Sequence, residues 1–191
     1  MHKSIFIVYV MFSIIGFSQP YTIQKIEFKG KGETKNEYIE MLKLKDDNAL
    51  VIVMGDSKFS TLQDLNCIVY LNNGQVERYE LTNVKRKIRV KKKRVSKNGY
   101  DRYWKFLNSC IQENRFEFDE KKLSGINEDG SIINIGISGG TTKHFALYQN
   151  KDYAEYSSFS PNIFIHGKTY GFEEKQKLLN LIDEFENLRK Q

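Results

Sequence analysis

Cysteine, proline, histidine and tryptophan are scarce in this 191-residue chain: it holds two, two, three and one of them. Two cysteines exclude a disulfide-dense scaffold and a four-thiolate zinc site. Beyond residue 18 no apolar run approaches the ~18 residues of a membrane-spanning helix, which excludes a polytopic membrane protein. No phosphate-binding loop, dinucleotide fingerprint or calcium loop occurs, so no cofactor is expected. Fixed-period repeats and low-complexity linkers are also missing. Charged residues are 28% and hydrophobic residues 40% of the chain. That is enough apolar matter for a packed core, and it lies outside the composition of disordered chains.

The N-terminus reads as an export signal. His2 and Lys3 form a short basic region. Residues 4–17 are uncharged and largely apolar. Gly16 and Ser18 then supply small residues before a cut at Gln19, the layout of a cleaved signal peptide. Fourteen helical residues span roughly 21 Å, short of the ~30 Å hydrocarbon core of a membrane. The expected organisation is therefore a signal peptide over 1–18 and a mature chain over 19–191. The mature chain is read as one α+β domain, or two packed halves divided near 84–97. An exported protein works in the periplasm or outside the cell, with no membrane-spanning segment once the signal is removed.

Hydrophobic periodicity predicts the elements. Residues 21–29 read as a first strand. Residues 34–45 fit either a helix, with Thr34 and Glu37 as a capping box, or a strand. The apolar run 49–54 predicts a strand buried on both faces. Asn73-Gly74 between residues 65–71 and 75–82 signals a β-hairpin, because both residues tolerate positive φ. A second hairpin is expected from 131–138 and 141–149, around Gly139-Gly140. Tyr100, Tyr103, Trp104, Leu107, Cys110 and Ile111 share one face of a helix over about 99–114, capped by Ser96 or Asn98. Phe172, Lys175, Leu178, Leu179, Ile182, Phe185 and Leu188 line a C-terminal helix over about 172–189. Acids sit at its start and bases at its end. Two hairpins and few helices predict an antiparallel α+β fold rather than a βαβ repeat.

Charge is concentrated in one place. Lys85, Arg86, Lys87, Arg89, Lys91, Lys92, Lys93, Arg94 and Lys97 lie within 14 residues that contain no acid. Removing those nine and Lys3 leaves 20 Lys+Arg against 24 Asp+Glu, so the rest of the mature chain is mildly acidic. Such a run belongs on the surface. It suits either a charged sheet edge, where lysines block edge-to-edge aggregation, or a polyanion contact driven by counterion release. For an exported chain the polyanion is an acidic glycan, lipopolysaccharide, an anionic lipid headgroup or extracellular DNA. No motif for sequence-specific nucleic-acid recognition accompanies the run.

Other constellations carry less chemistry. Gly136 to Gly140 matches the G-x-S-x-G elbow around Ser138, with Asp152 and His166 following, but the expected second strand stands where the elbow needs a helix. His144 and His166 are each isolated, so no metal site is expected. Cys67, on an apolar strand face, and Cys110, on the apolar helix face, are disulfide candidates. Their bond would close about 44 residues and add roughly 4 kcal/mol. The aromatic segment with Tyr148, Tyr153, Tyr156 and Phe159 is read as a partner surface, since tyrosines give contact area at low entropy cost. The leading expectation is an exported, non-catalytic binding protein, its partner a polyanion or an envelope protein. A hydrolase-like enzyme with a site near Ser138, His144 and His166, or a structural envelope protein, are the alternatives. N-terminal sequencing of exported protein should find Gln19 first; soluble cytosolic protein retaining Met1 would refute the signal.

Overall fold

A strand that alternates faces can bury six consecutive apolar residues only if both of its faces are covered. Residues 49–54 meet that condition in the computed structural model, which describes residues 21–26, 37–45, 48–58, 61–84, 87–125, 127, 129–131, 140–149, 152–166 and 169–190. The expected signal segment, Lys85, Arg86 and Ser138 lie outside these residues.

Six strands form one antiparallel sheet: β1 (Leu50–Lys58), β2 (Thr61–Tyr70), β3 (Val76–Val84), β4 (Lys87–Lys93), β5 (Thr141–Gln149) and β6 (Asp152–Phe159). Their order is β4-β3-β2-β1-β5-β6, so β1 is interior and β4 and β6 are edges among the described residues. The helices are α1 (Glu37–Leu42), α2 (Tyr100–Gln112), α3 (Glu120–Ser124), α4 (Pro161–His166) and α5 (Phe172–Lys190), with a 3-10 turn over Lys97–Gly99 before α2. The architecture is α+β, as the periodicity predicts.

The sheet separates two apolar clusters. Leu50, Ile52 and Met54 of β1 join Ile68, Tyr70, Phe145 and Leu147 on one face, where Trp104, Leu107, Leu178 and Phe185 of the helices cover them. Val51 and Val53 point the other way, to Leu65, Cys67, Val69, Tyr79, Leu81, Ala146 and Tyr148, with Leu42 of α1. Each large side chain buried this way stabilises the fold by roughly 1.5–3 kcal/mol.

Side-chain hydrogen bonds fix α2 on the helical face. Trp104 Nε1 donates to the Gly74 carbonyl at 3.0 Å, in the turn between β2 and β3. Tyr70 Oη donates to the Tyr103 carbonyl at 2.9 Å, and Tyr103 Oη donates to the Leu188 carbonyl at 3.1 Å. The predicted turn is present: Gly74 has φ +80°, and its N–H donates to the Leu71 carbonyl.

Three expectations need correction. Residues 21–26 form no strand; Gln149 of β5 meets their backbone with its side chain, accepting from Ile26 N–H and donating to the Gln24 carbonyl. In the hairpin expected from 131–138 and 141–149, residues 132–139 lie outside the described set. Both edges of β5 are taken, by β1 and by β6. The aromatic segment supplies β6 and then α4. Lastly, α2 has Gly99 at its N-cap with no side-chain cap, because the preceding 3-10 turn occupies that position.

Where α3, α4 and α5 meet, a lysine is buried. Lys175 is 1% exposed. Its ammonium donates to the Lys122 and Tyr170 carbonyls and lies 4.7 Å from the centre of the Phe164 ring. Loss of water lowers its pKa. Gly171 (φ +74°) meets the same carbonyl: a Cβ there would lie 2.3 Å from Lys122 O. Gly125 has a similar φ of +75° but nothing within 3.6 Å of an added Cβ. Gly125→Ala should therefore cost about 1 kcal/mol, the conformational term alone. Gly171→Ala should cost roughly 2–5 kcal/mol, strain plus overpacking. Urea denaturation of the two variants checks the difference; equal costs would show that the Lys122 contact does not constrain position 171.

Candidate polyanion-binding edge

Along β4 the side chains alternate, and register assigns them to faces. Val90 lies opposite Leu81 and Lys92 opposite Tyr79, on the face of the second apolar cluster. Arg89 lies opposite Thr82, Lys91 opposite Glu80 and Lys93 opposite Arg78, on the helical face. Two cations are neutralised in place. Lys92 pairs with Glu77, whose pKa burial would raise; hydrogen bonds from Lys92 and Tyr79 outweigh burial and hold it low. Lys93 pairs with Glu80 at 2.9 Å and, by that hydrogen bond, holds its carboxyl below the usual range.

Lys87, Arg89, Lys91 and Arg94 are exposed and make no ion pair among the described residues. The first three recur every second residue along one strand face, about 6.6–6.8 Å apart. Tertiary structure thus divides the seven described cations of the run: a fixed row of three, Arg94 beyond it, two paired lysines, and Lys97 in the 3-10 turn. The counter-charges Glu77 and Glu80 escaped sequence reasoning. Their assignment needs the β3–β4 register, which follows no local motif.

The remaining candidates disperse. Tyr156 is buried on the helical face, stacked with Phe145 and edge-to-face with Phe118. Tyr148 is buried on the opposite face and stacks on Tyr153 at 6.2 Å. Phe159 is 45% exposed at the end of β6. The expected aromatic surface is therefore not one surface, because strand alternation sends Tyr156 to the face opposite Tyr153. Cys67 and Cys110 fail to meet for the same reason: Cys67 belongs to the second cluster and Cys110 to the helical one. The sheet lies between them, and both are free thiols.

His144 finds a serine, but one the sequence pattern did not indicate. Its Nε2 is 2.7 Å from Ser57 Oγ on β1. Burial lowers the imidazole pKa, with Asp56 and Glu155 opposing weakly. A neutral imidazole can accept the hydroxyl proton, but Ser57 is only 7% exposed, so the pair satisfies buried polar groups rather than presenting a nucleophile. His166 ends α4, exposed and on a different element. Among the described residues no group of three acidic, histidine or cysteine side chains is placed to hold a metal ion. No described helix is long and apolar enough to cross a membrane. No protein-family model matches the chain, and a search of curated proteins finds no match.

Burial pushes both thiols up to about 12. Folded protein keeps those protons while the unfolded chain releases them above about 8.5, so stability is full below that pH and is lost as pH rises toward the folded value. Each thiol costs about 1.4 kcal/mol per pH unit in that window. Tyr70, Tyr79 and Tyr156, also raised by burial, add a loss of the same sign at higher pH. Lys175, its pKa lowered by burial, opposes them. Melting temperature should fall steadily above pH 9, and Cys67→Ala with Cys110→Ala should flatten that slope. An unchanged slope in the double variant would assign the alkaline loss to the tyrosines.

Proposed function

We propose that this chain is an exported binding protein that takes a polyanion at the cell envelope through edge strand β4. The observation that carries the reading is the row Lys87, Arg89 and Lys91, without an ion pair among the described residues and held at fixed spacing on an exposed edge. Strand geometry holds the three cations about 6.6–6.8 Å apart. A rigid row loses less side-chain freedom on binding than a flexible basic tail. Each neutralised anionic group releases condensed counterions, so binding is driven by entropy and weakens with salt. Placement outside the cytoplasm, expected from the N-terminal segment, makes the ligand an acidic glycan, lipopolysaccharide or an anionic lipid headgroup. The row also guards the edge: its like charges repel a second copy that would extend the sheet.

Heparin chromatography tests the reading. Lys87→Glu, Arg89→Glu and Lys91→Glu together should shift elution to markedly lower salt. Lys43→Glu, Lys105→Glu and Lys121→Glu, with the same change in net charge, should shift it far less. Equal shifts in the two triple variants would show that overall charge, not β4, sets retention.

A further inference from the structure

The helical face of β4 does not end at its cations. Next to it, between the sheet and the end of α5, lies an open cleft of about 390 Å³. Asp56 of β1, Asn66 of β2, Glu80 and Thr82 of β3, and Glu186 and Arg189 of α5 line it. Register joins the cleft to the basic row: Glu80 lies opposite Lys91 and Thr82 opposite Arg89, as direct cross-strand neighbours. Such neighbours have Cβ atoms about 4.5–5.5 Å apart. Row and cleft therefore form one surface.

The cleft is polar, and two of its three carboxylates are compensated. Asp56 is bonded to Lys143 at 2.9 Å and Glu80 to Lys93 at 2.9 Å. Both keep lone pairs that can accept hydroxyl protons. Asn66 and Thr82 add donors and acceptors without charge. A bare polyphosphate has no hydroxyl array to use such a wall. A sugar chain does.

We infer that β4 and the adjoining cleft form one binding site for an acidic oligosaccharide, whose acid groups lie along Lys87, Arg89 and Lys91 while its hydroxyls bond Asp56, Asn66, Glu80 and Thr82. This inference rests on the polyanion reading above and names its ligand class. Acidic groups supply affinity through the row; hydroxyl geometry supplies selectivity through the cleft.

Titration calorimetry of the full mature chain with an alginate oligosaccharide and with inorganic polyphosphate of matched charge tests it. Asn66→Ala with Thr82→Val changes no charge. It should weaken alginate binding about tenfold and leave polyphosphate binding unchanged. The Lys87, Arg89, Lys91 reversal should weaken both. If the uncharged double variant binds both ligands like the wild type, or loses both equally, the glycan assignment is overturned and the polyanion reading stands. Should the charge reversal leave both ligands unaffected, or the wild type bind neither, the polyanion reading falls with it.

Discussion

Everything in this fold is arranged around β1, a strand hydrogen-bonded on both edges and buried on both faces. Its backbone is satisfied by β2 on one side and β5 on the other. Its side chains then have only two destinations. Leu50, Ile52 and Met54 require a helical cover, while Val51 and Val53 require a second cluster. A one-residue slip of β1 would exchange these sets and unpack both clusters together. The register of the whole sheet, and hence the placing of β4, follows from that constraint.

The two edges of the sheet are chemically unlike. β4 carries cations at five of its seven positions, whereas β6 carries Asp152 and Glu155 and no base. Partial neutralisation makes the β4 edge workable. Lys92 and Lys93 anchor to Glu77 and Glu80, which relieves like-charge repulsion within the strand. Their neighbours Lys87, Arg89 and Lys91 remain available to solvent or ligand. Acids at Glu77 and Glu80 thus serve the basic edge by steadying it. Glu80 has a second position of interest, since it also faces the cleft beneath α5.

Buried polar groups show how the helical layer is fastened. Trp104 holds the β2–β3 turn, Tyr103 holds the end of α5, and the Lys175 ammonium gathers carbonyls from either side of the α3–α5 junction. Each is a long side chain with one polar end, able to lie in the core while its tip satisfies a backbone group that helix packing would otherwise strand.

The sequence by itself determined the elements whose signals are local. Six apolar residues at 49–54 required a doubly buried strand. Asn73-Gly74 required a turn. The stripes over 100–111 and 172–188 required amphipathic helices, and nine crowded cations required an exposed segment. Tertiary structure decided what depends on register and on which strands become neighbours. Cys67 and Cys110 each read correctly as buried, yet the sheet parts them, because two apolar faces need not be the same core. His144 meets Ser57 because β1 lies beside β5, a pairing separated by 87 residues in the chain. The split of the basic run into paired and unpaired cations, and the polar cleft beside it, follow likewise from cross-strand register. Local physics sets periodicity and turns; only the assembled sheet sets which faces meet.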